Sequence, residues 1–225
     1  MQRGALVLGI ALIAVGCRAG PPTTPVQESS LRYVALGDSY TIGTSVAEAE
    51  RWPNQLRGRV GGMEIAANLA VNGYTSSDVL EGELPEVEPL RPDLVTLLIG
   101  VNDVVQGVPA DQYAENVERI LDELLTLLPA DRVLCVATPD YTVTPRGAAF
   151  GDPEQQRAGI VRVNDILRDA CRSRGIGFVG EIFEISQRAA DDGSLVADDA
   201  LHPSGLQYER WVDSIAPIVR DLLAS

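Results

Sequence analysis

The chain has 225 residues, 45% of them hydrophobic and 22% charged, and 18 basic against 32 acidic side chains leave a formal charge of −14. Every basic residue is arginine, scattered rather than grouped, so no surface exists to neutralise phosphates and nucleic acid is excluded as a partner. The same field disfavours anionic membrane surfaces and polyanionic substrates, and it suits a neutral small molecule. Length alone points to one domain.

Taken in chain order, Arg3 precedes an unbroken small and apolar run from Gly4 to Gly16 that ends at Cys17. A charge followed by such a run reads as an export signal over residues 1–16. A membrane-spanning helix needs about 20 apolar residues, and this run is shorter. The segment resembles a bacterial lipoprotein signal, in which the small pair Val15-Gly16 precedes the cysteine, here Cys17, that is lipidated and becomes N-terminal after cleavage. Ala14 departs from the larger aliphatic residue of that pattern, so secretion with Cys17 unmodified stands beside tethering to the membrane of the bacterial cell envelope. Residues 17–30 are rich in Pro, Thr and Ser and lack apolar periodicity; they read as a flexible tether, which puts the folded domain at 31–225. Cys135, in an apolar run, and Cys171, on the apolar stripe of a helix, read as buried thiols; a disulfide between them is left open. One histidine and no Cys-x-x-Cys leave no zinc site of the usual kind, and the acidic stretch ADDGSLVADD reads as a solvated turn rather than a calcium loop.

Short apolar runs recur at 32–36, 64–71, 93–100, 132–138 and 176–180, with helical patterns between them. Over 152–174, Asp152 can cap, Pro153 suits the first helical position, Gln155 can complete a capping box and Gly175 suits the stop. Ile160, Val163, Leu167, Ala170 and Cys171 fall at helical spacing there, as do Tyr113, Val117, Ile120, Leu121, Leu124 and Leu128 over 111–128. A last helix follows Pro203 and uses Trp211, Ile215, Val219 and Leu222, with a kink or early break expected at Pro217. Apolar strands alternating with helices predict a flavodoxin-like three-layer α/β/α sandwich on a five-stranded parallel sheet.

In such sheets ligands bind beyond the carboxyl ends of the strands, where the strand order reverses. GDSY, NGYTSSD and GVND follow the first three strands, and DDALHPSG, with the single histidine, follows the fifth. If strands one and three flank the switch point, Ser39, Gly73, Asn102 and His202 meet at one edge. Ester hydrolysis needs a nucleophile, a base, a group to orient the base, and donors for an oxyanion. Ser39 can attack, His202 can move the proton, and Asp199 can orient His202. The N–H groups of Ser39 and Gly73 and the amide of Asn102 can bind the oxyanion, with glycine at 73 allowing close backbone approach.

These four blocks, in this order, resemble the SGNH hydrolases, also called GDSL esterases. The family's serine, glycine, asparagine, histidine and acid correspond to Ser39, Gly73, Asn102, His202 and Asp199; Tyr40 stands where the name motif has leucine. The resemblance implies hydrolysis of carboxylic esters or thioesters of small-molecule or acylated substrates, without metal or organic cofactor. It leaves the substrate wide, from lipid esters to acetylated sugars. A carbohydrate O-acetyl esterase, or a surface lipoprotein that binds acyl ligands without turnover, remain the other readings. Asp38 reads as holding its turn and Asp103 as capping a helix. Asp198 is one residue too far from His202 to replace Asp199. GTSVA at 43–47 is not a nucleophile elbow, because it follows no strand and has Ala47 where glycine is needed. Loops 40–52 and 139–152 are expected to shape the pocket.

Overall fold

A computed structural model describes residue 1 and residues 30–224. The export signal, Cys17 and the tether at 17–30 therefore lie outside the described residues, apart from Met1 and from Ser30 at the tether's end. Five strands, β1 (Leu31–Gly37), β2 (Met63–Asn68), β3 (Leu94–Leu98), β4 (Val133–Val136) and β5 (Gly177–Val179), form one sheet in the order β2-β1-β3-β4-β5. All four pairings are parallel. The order reverses between β1 and β3, which is the switch point expected from the loops. The second apolar run extends past the strand it forms. β2 ends at Asn68, whose amide donates to the Thr41 carbonyl at 2.9 Å and so turns the chain toward the first loop.

Both faces of the sheet are covered, and the alternation of side chains along each strand explains why the runs are apolar throughout. Tyr33, Ala35, Leu94, Leu98, Leu134 and Val136 face one layer; Val34, Leu36, Val95, Leu97, Val133 and Cys135 face the other. In chain order the helices that position the site and build the two layers are α1 (Ser39–Ile42), α2 (Trp52–Val60), α3 (Val101–Gln106), α4 (Ala110–Leu127), α5 (Pro153–Arg174), α6 (Ile182–Gln187) and α7 (Gly205–Ala224). The first layer is α2 and α7, with Trp52, Leu56, Trp211, Val212 and Ile215 fully buried. The second is α4 and α5, packed through Val117, Ile120, Leu121, Leu124, Val163 and Leu167. Cys135 and Cys171 meet in that second layer as buried free thiols; the hydrogen bond that the Cys135 S–H gives to Cys171, with burial behind it, pushes the Cys135 thiol up.

The caps of α5 follow the sequence in part. The Asp152 carboxylate accepts from Gln155 N at 2.9 Å, and Gly175 closes the helix with a left-handed φ of +70°. The reciprocal side-chain bond from Gln155 is not formed, so only half of the expected box exists. α7 runs through Pro217 without a break. Losing one backbone bond there is outweighed by a buried face, Trp211, Val212, Ile215, Ala216 and Val219, that grips the sheet on both sides of the proline.

Candidate active site

β1 leaves the sheet through a passage that only glycine fits. Gly37 has a φ of +147°, and a Cβ there would lie 2.3 Å from the Leu98 carbonyl oxygen and 2.6 Å from Thr41 Oγ1. Asp38 then caps α1, accepting from Tyr40 N at 2.9 Å, as its reading as a turn-holding residue predicts. Ser39, 8% exposed, is the first residue of α1. Asp38 is fully buried, and that burial pushes its carboxyl up to about 7 against the opposing Tyr40 N–H bond.

Asp199 and His202 share a tight reversal. Val196 bridges Pro203, Ala197 N donates to the His202 carbonyl at 2.8 Å, and Ala200 takes a left-handed φ of +63°. Three-residue spacing therefore folds the carboxylate back onto the imidazole. Asp199 Oδ2 lies 2.5 Å from His202 Nδ1, and Oδ1 accepts the N–H groups of Leu201 and His202, both at 2.9 Å. Ser45 Oγ donates to Oδ2 at 2.8 Å. Partial burial works against ionisation of Asp199, but the bonds from the His202 ring, the two N–H groups and Ser45 outweigh it. They hold the carboxyl well below the usual carboxylate range. An anion at Nδ1 keeps the ring proton there and turns the Nε2 lone pair outward. His202 Nε2 is 2.9 Å from Ser39 Oγ. Asp198, the rival acid, is exposed on the surface.

Gly73 and Asn102 complete the edge. Gly73 follows Asn72 in a turn closed by Tyr74 N to the Val71 carbonyl at 3.2 Å, and its φ is +84°. A Cβ at Gly73 would meet no protein atom within 4 Å. The left-handed backbone, rather than crowding by the protein, is what calls for glycine in the chain itself. Asn102, in the first turn of α3, donates from Nδ2 to the Tyr74 carbonyl at 2.9 Å, and Gln106 Nε2 donates to the Gly73 carbonyl at 3.0 Å. α3 thus pins the loop after β2 to the end of β3 and leaves the second Asn102 N–H unused.

Asp103 does not cap its own helix, contrary to expectation. It is buried, 1% exposed, and accepts the Ser76 hydroxyl at 2.5 Å and the Ser76 N–H at 3.0 Å, while Asn116 Nδ2 donates to Ser76 Oγ at 3.0 Å. Its partner lies across the switch point, where sequence spacing gives no hint of it. Ser45 is the second surprise: the serine of the rejected GTSVA stretch adopts a left-handed φ of +66° and supports Asp199 instead.

Ser39, Gly73, Asn102 and His202 open into one cavity of about 250 Å³. Its apolar lining is Val101, Val105, Tyr141, Phe150 and Leu201; Thr44 and Asn72 add a polar part, with the Thr44 hydroxyl donating to Asn72 Oδ1 at 2.5 Å. Tyr40 packs on the His202 ring at 5.3 Å between centroids. Both loops expected to shape the pocket do so, the first through Tyr40 and Thr44 and the second through Tyr141 and Phe150. Val105 and Leu201 escaped the sequence although they lie close to Asn102 and His202, because nothing local to either residue tells whether its side chain faces the cavity. A larger groove of about 940 Å³ lies along β5, α5 and α6 and shares no residue with this constellation.

A five-stranded parallel sheet in this order, covered by helices on both faces, is a three-layer α/β/α fold, and here Ser39, His202 and Asp199 line up at its switch point. Residues 35–210 match the GDSL-like Lipase/Acylhydrolase family, and the chain belongs to that family. It is similar to an acetylxylan esterase of Xylanibacter ruminicola, 21% identical over 220 residues that cover 86% of this chain and 44% of the relative. It is also similar to the GDSL esterase/lipase WDL1 of Oryza sativa subsp. japonica, 23% identical over 69% of this chain and 66% of the relative. The chain thus spans less than two thirds of each of these proteins. Among solved structures, a catalytic mutant of Axe2, an acetylxylan esterase from Geobacillus stearothermophilus, superposes with a TM-score of 0.67 at 17% identity. That match covers 85% of this chain and 94% of the other, and it shows the shared fold.

Proposed function

We propose that the protein is an exported serine esterase that hydrolyses carboxylic esters, thioesters included, through an acyl-enzyme on Ser39. The observation that carries this reading is the continuous line from Asp199 through His202 to Ser39, with contacts of 2.5 Å and 2.9 Å. His202 Nε2 takes the Ser39 proton as Oγ attacks the acyl carbon, and the imidazolium returns that proton to the departing alcohol or thiol. Water then repeats the exchange on the acyl-enzyme, releasing the acid and restoring Ser39. Asp199 keeps Nδ1 protonated throughout and stabilises the imidazolium. The tetrahedral oxyanion is held by the N–H groups of Ser39 and Gly73 and the second N–H of Asn102. A fluorophosphonate probe tests the reading: it should label Ser39, and Ser39→Ala should lose both labelling and turnover. Turnover surviving in Ser39→Ala overturns it.

A narrower reading, a carbohydrate O-acetyl esterase, is favoured by the similarity to the Xylanibacter ruminicola acetylxylan esterase. Comparing p-nitrophenyl acetate, butyrate and octanoate with acetylated xylan separates the two. Saturable acyl-ligand binding with no turnover on any of them would instead support a binding protein. Export and lipidation rest on residues 1–17 alone. Cys17→Ala should release the protein from the membrane fraction if the lipid is its anchor. Among the described residues no helix is long and apolar enough to cross a membrane.

A further inference from the structure

Behind the turn that carries Ser39 lies an acid that the acyl-transfer steps do not use. Glu83 ends the π-helical segment Val79–Glu83 and is 1% exposed. Its Oε2 accepts the N–H of Gly37 at 2.8 Å. The Gly37 carbonyl accepts from Val71 N, past the point where β2 ends at Asn68. Glu83 thus supplies an acceptor at the margin where β2 has stopped, two residues before the serine.

We propose that Glu83 is a positioning residue for the nucleophile: its carboxyl holds the Gly37 peptide at the tight exit of β1 and so sets the direction in which Asp38 and Ser39 leave the sheet. This rests on the reading of Ser39 as the attacking group.

Glu83 acts as a neutral acid. Burial opposes its ionisation first, and the charges of Asp38, at the β1–α1 junction, and Asp78, just before the π-helical segment, add to that; only the Gly37 N–H favours the anion. The carboxyl is pushed up to about 8. Asp103, from α3, raises Asp38 in turn, and Tyr113, from α4, meets the charges of both aspartates. Tyr74 closes over Gly82, its hydroxyl 3.2 Å from where a Cβ on that glycine would stand. No basic side chain contributes to the balance at Glu83. Glu83 Oε1 and Asp38 Oδ2 are both buried without a hydrogen-bond partner. A second negative charge here would repel Asp38 with nothing to offset it, and the displaced turn would carry Ser39 Oγ away from His202.

The test is the pH dependence of kcat and KM for p-nitrophenyl butyrate between pH 6 and 10, with kcat corrected to the fraction of enzyme labelled by fluorophosphonate. Wild-type kcat should fall above about pH 8 at constant KM, since Glu83 ionises there. Glu83→Gln keeps the acceptor and cannot ionise, so its kcat should lie within about threefold of wild type at pH 7 and stay level to pH 10. Glu83→Leu removes the acceptor and should lower kcat by about ten- to a hundredfold at pH 7 with little change in KM. A wild type without the alkaline decline, a Glu83→Gln variant that retains it, or a Glu83→Leu variant with wild-type kcat overturns the assignment. If Glu83→Leu does not fold, the Glu83→Gln profile decides alone. Ser39→Ala, run alongside, separates the two levels: turnover without the serine removes the esterase reading itself, whereas an inert Ser39→Ala beside an unchanged Glu83→Gln profile removes only the role of Glu83.

Discussion

Asn102 and Ser45 illustrate how unequal the legibility of individual residues is. Asn102 stands in a recognisable block, GVND, and the structure anchors its amide on the Tyr74 carbonyl. Replacing it with alanine should lower kcat by about 10² to 10³, with KM nearly unchanged, because the oxyanion exists only after attack. Steady-state kinetics on one ester checks this. Ser45 sits in a stretch with no such mark, and its hydroxyl reaches an acid 154 positions away. Removing one donor to an anion costs about 1.5 kcal/mol or more. Ser45→Ala should therefore lower kcat about tenfold. Asp103 makes the same point from the opposite direction: its position beside Asn102 suggests a cap, yet its bonds to Ser76 cross the switch point.

At the scale of elements, the strands and the long helices are visible because burial imposes a period. A strand covered on both faces is apolar throughout, and α4 and α5 repeat apolar residues every three or four positions. Their boundaries are less visible, since β2 stops where Asn68 bonds to Thr41 rather than where its apolar run ends. The loop of residues 139–152 gains a defined shape from one buried acid. Asp140 accepts from Thr142 N at 3.0 Å and binds Arg157 of α5 at 2.7 Å, which fixes Tyr141, and Phe150 packs edge-on against that ring at 5.7 Å. These rings form part of the apolar wall. Phe150→Ala should lower kcat/KM for p-nitrophenyl octanoate about tenfold and change that for acetate less than about threefold, because only the longer chain buries surface against the ring. A uniform loss across the ester series would place Phe150 outside the acyl site.

At the scale of the molecule, charge acts twice. The net charge of −14 should disfavour anionic esters at low ionic strength. Raising salt from about 0.05 M to 0.5 M should increase kcat/KM for a succinate monoester several-fold while leaving p-nitrophenyl butyrate nearly unchanged, since screening shortens the reach of the field. The second effect is internal. Asp38 and Glu83 are raised to about 7 and about 8, chiefly by burial. Their neutral forms are favoured in the fold, so the support they give is full below the ordinary carboxyl range and is lost as pH rises toward 8. Asp199 has the opposite sign: its support is present above the ordinary range and fades only as pH falls through its depressed value. Thermal unfolding should therefore occur at a lower temperature at pH 9 than at pH 5.5, and Glu83→Gln should narrow that gap. Equal unfolding temperatures for the wild type at the two pH values would contradict this.

What the amino-acid order determined by itself was the alternation of strands and helices, the layered fold, and the four blocks that carry Ser39, Gly73, Asn102 and Asp199 with His202. These are local properties, set by burial period, turn chemistry and short spacing. The tertiary structure alone decided that Ser45 braces Asp199, that Asp103 bonds Ser76, that Glu83 backs the serine, and that Val105 and Leu201 wall the cavity. Each of those contacts joins segments whose approach depends on the sheet reversing between β1 and β3, and no residue pattern records how distant loops meet once that sheet has closed.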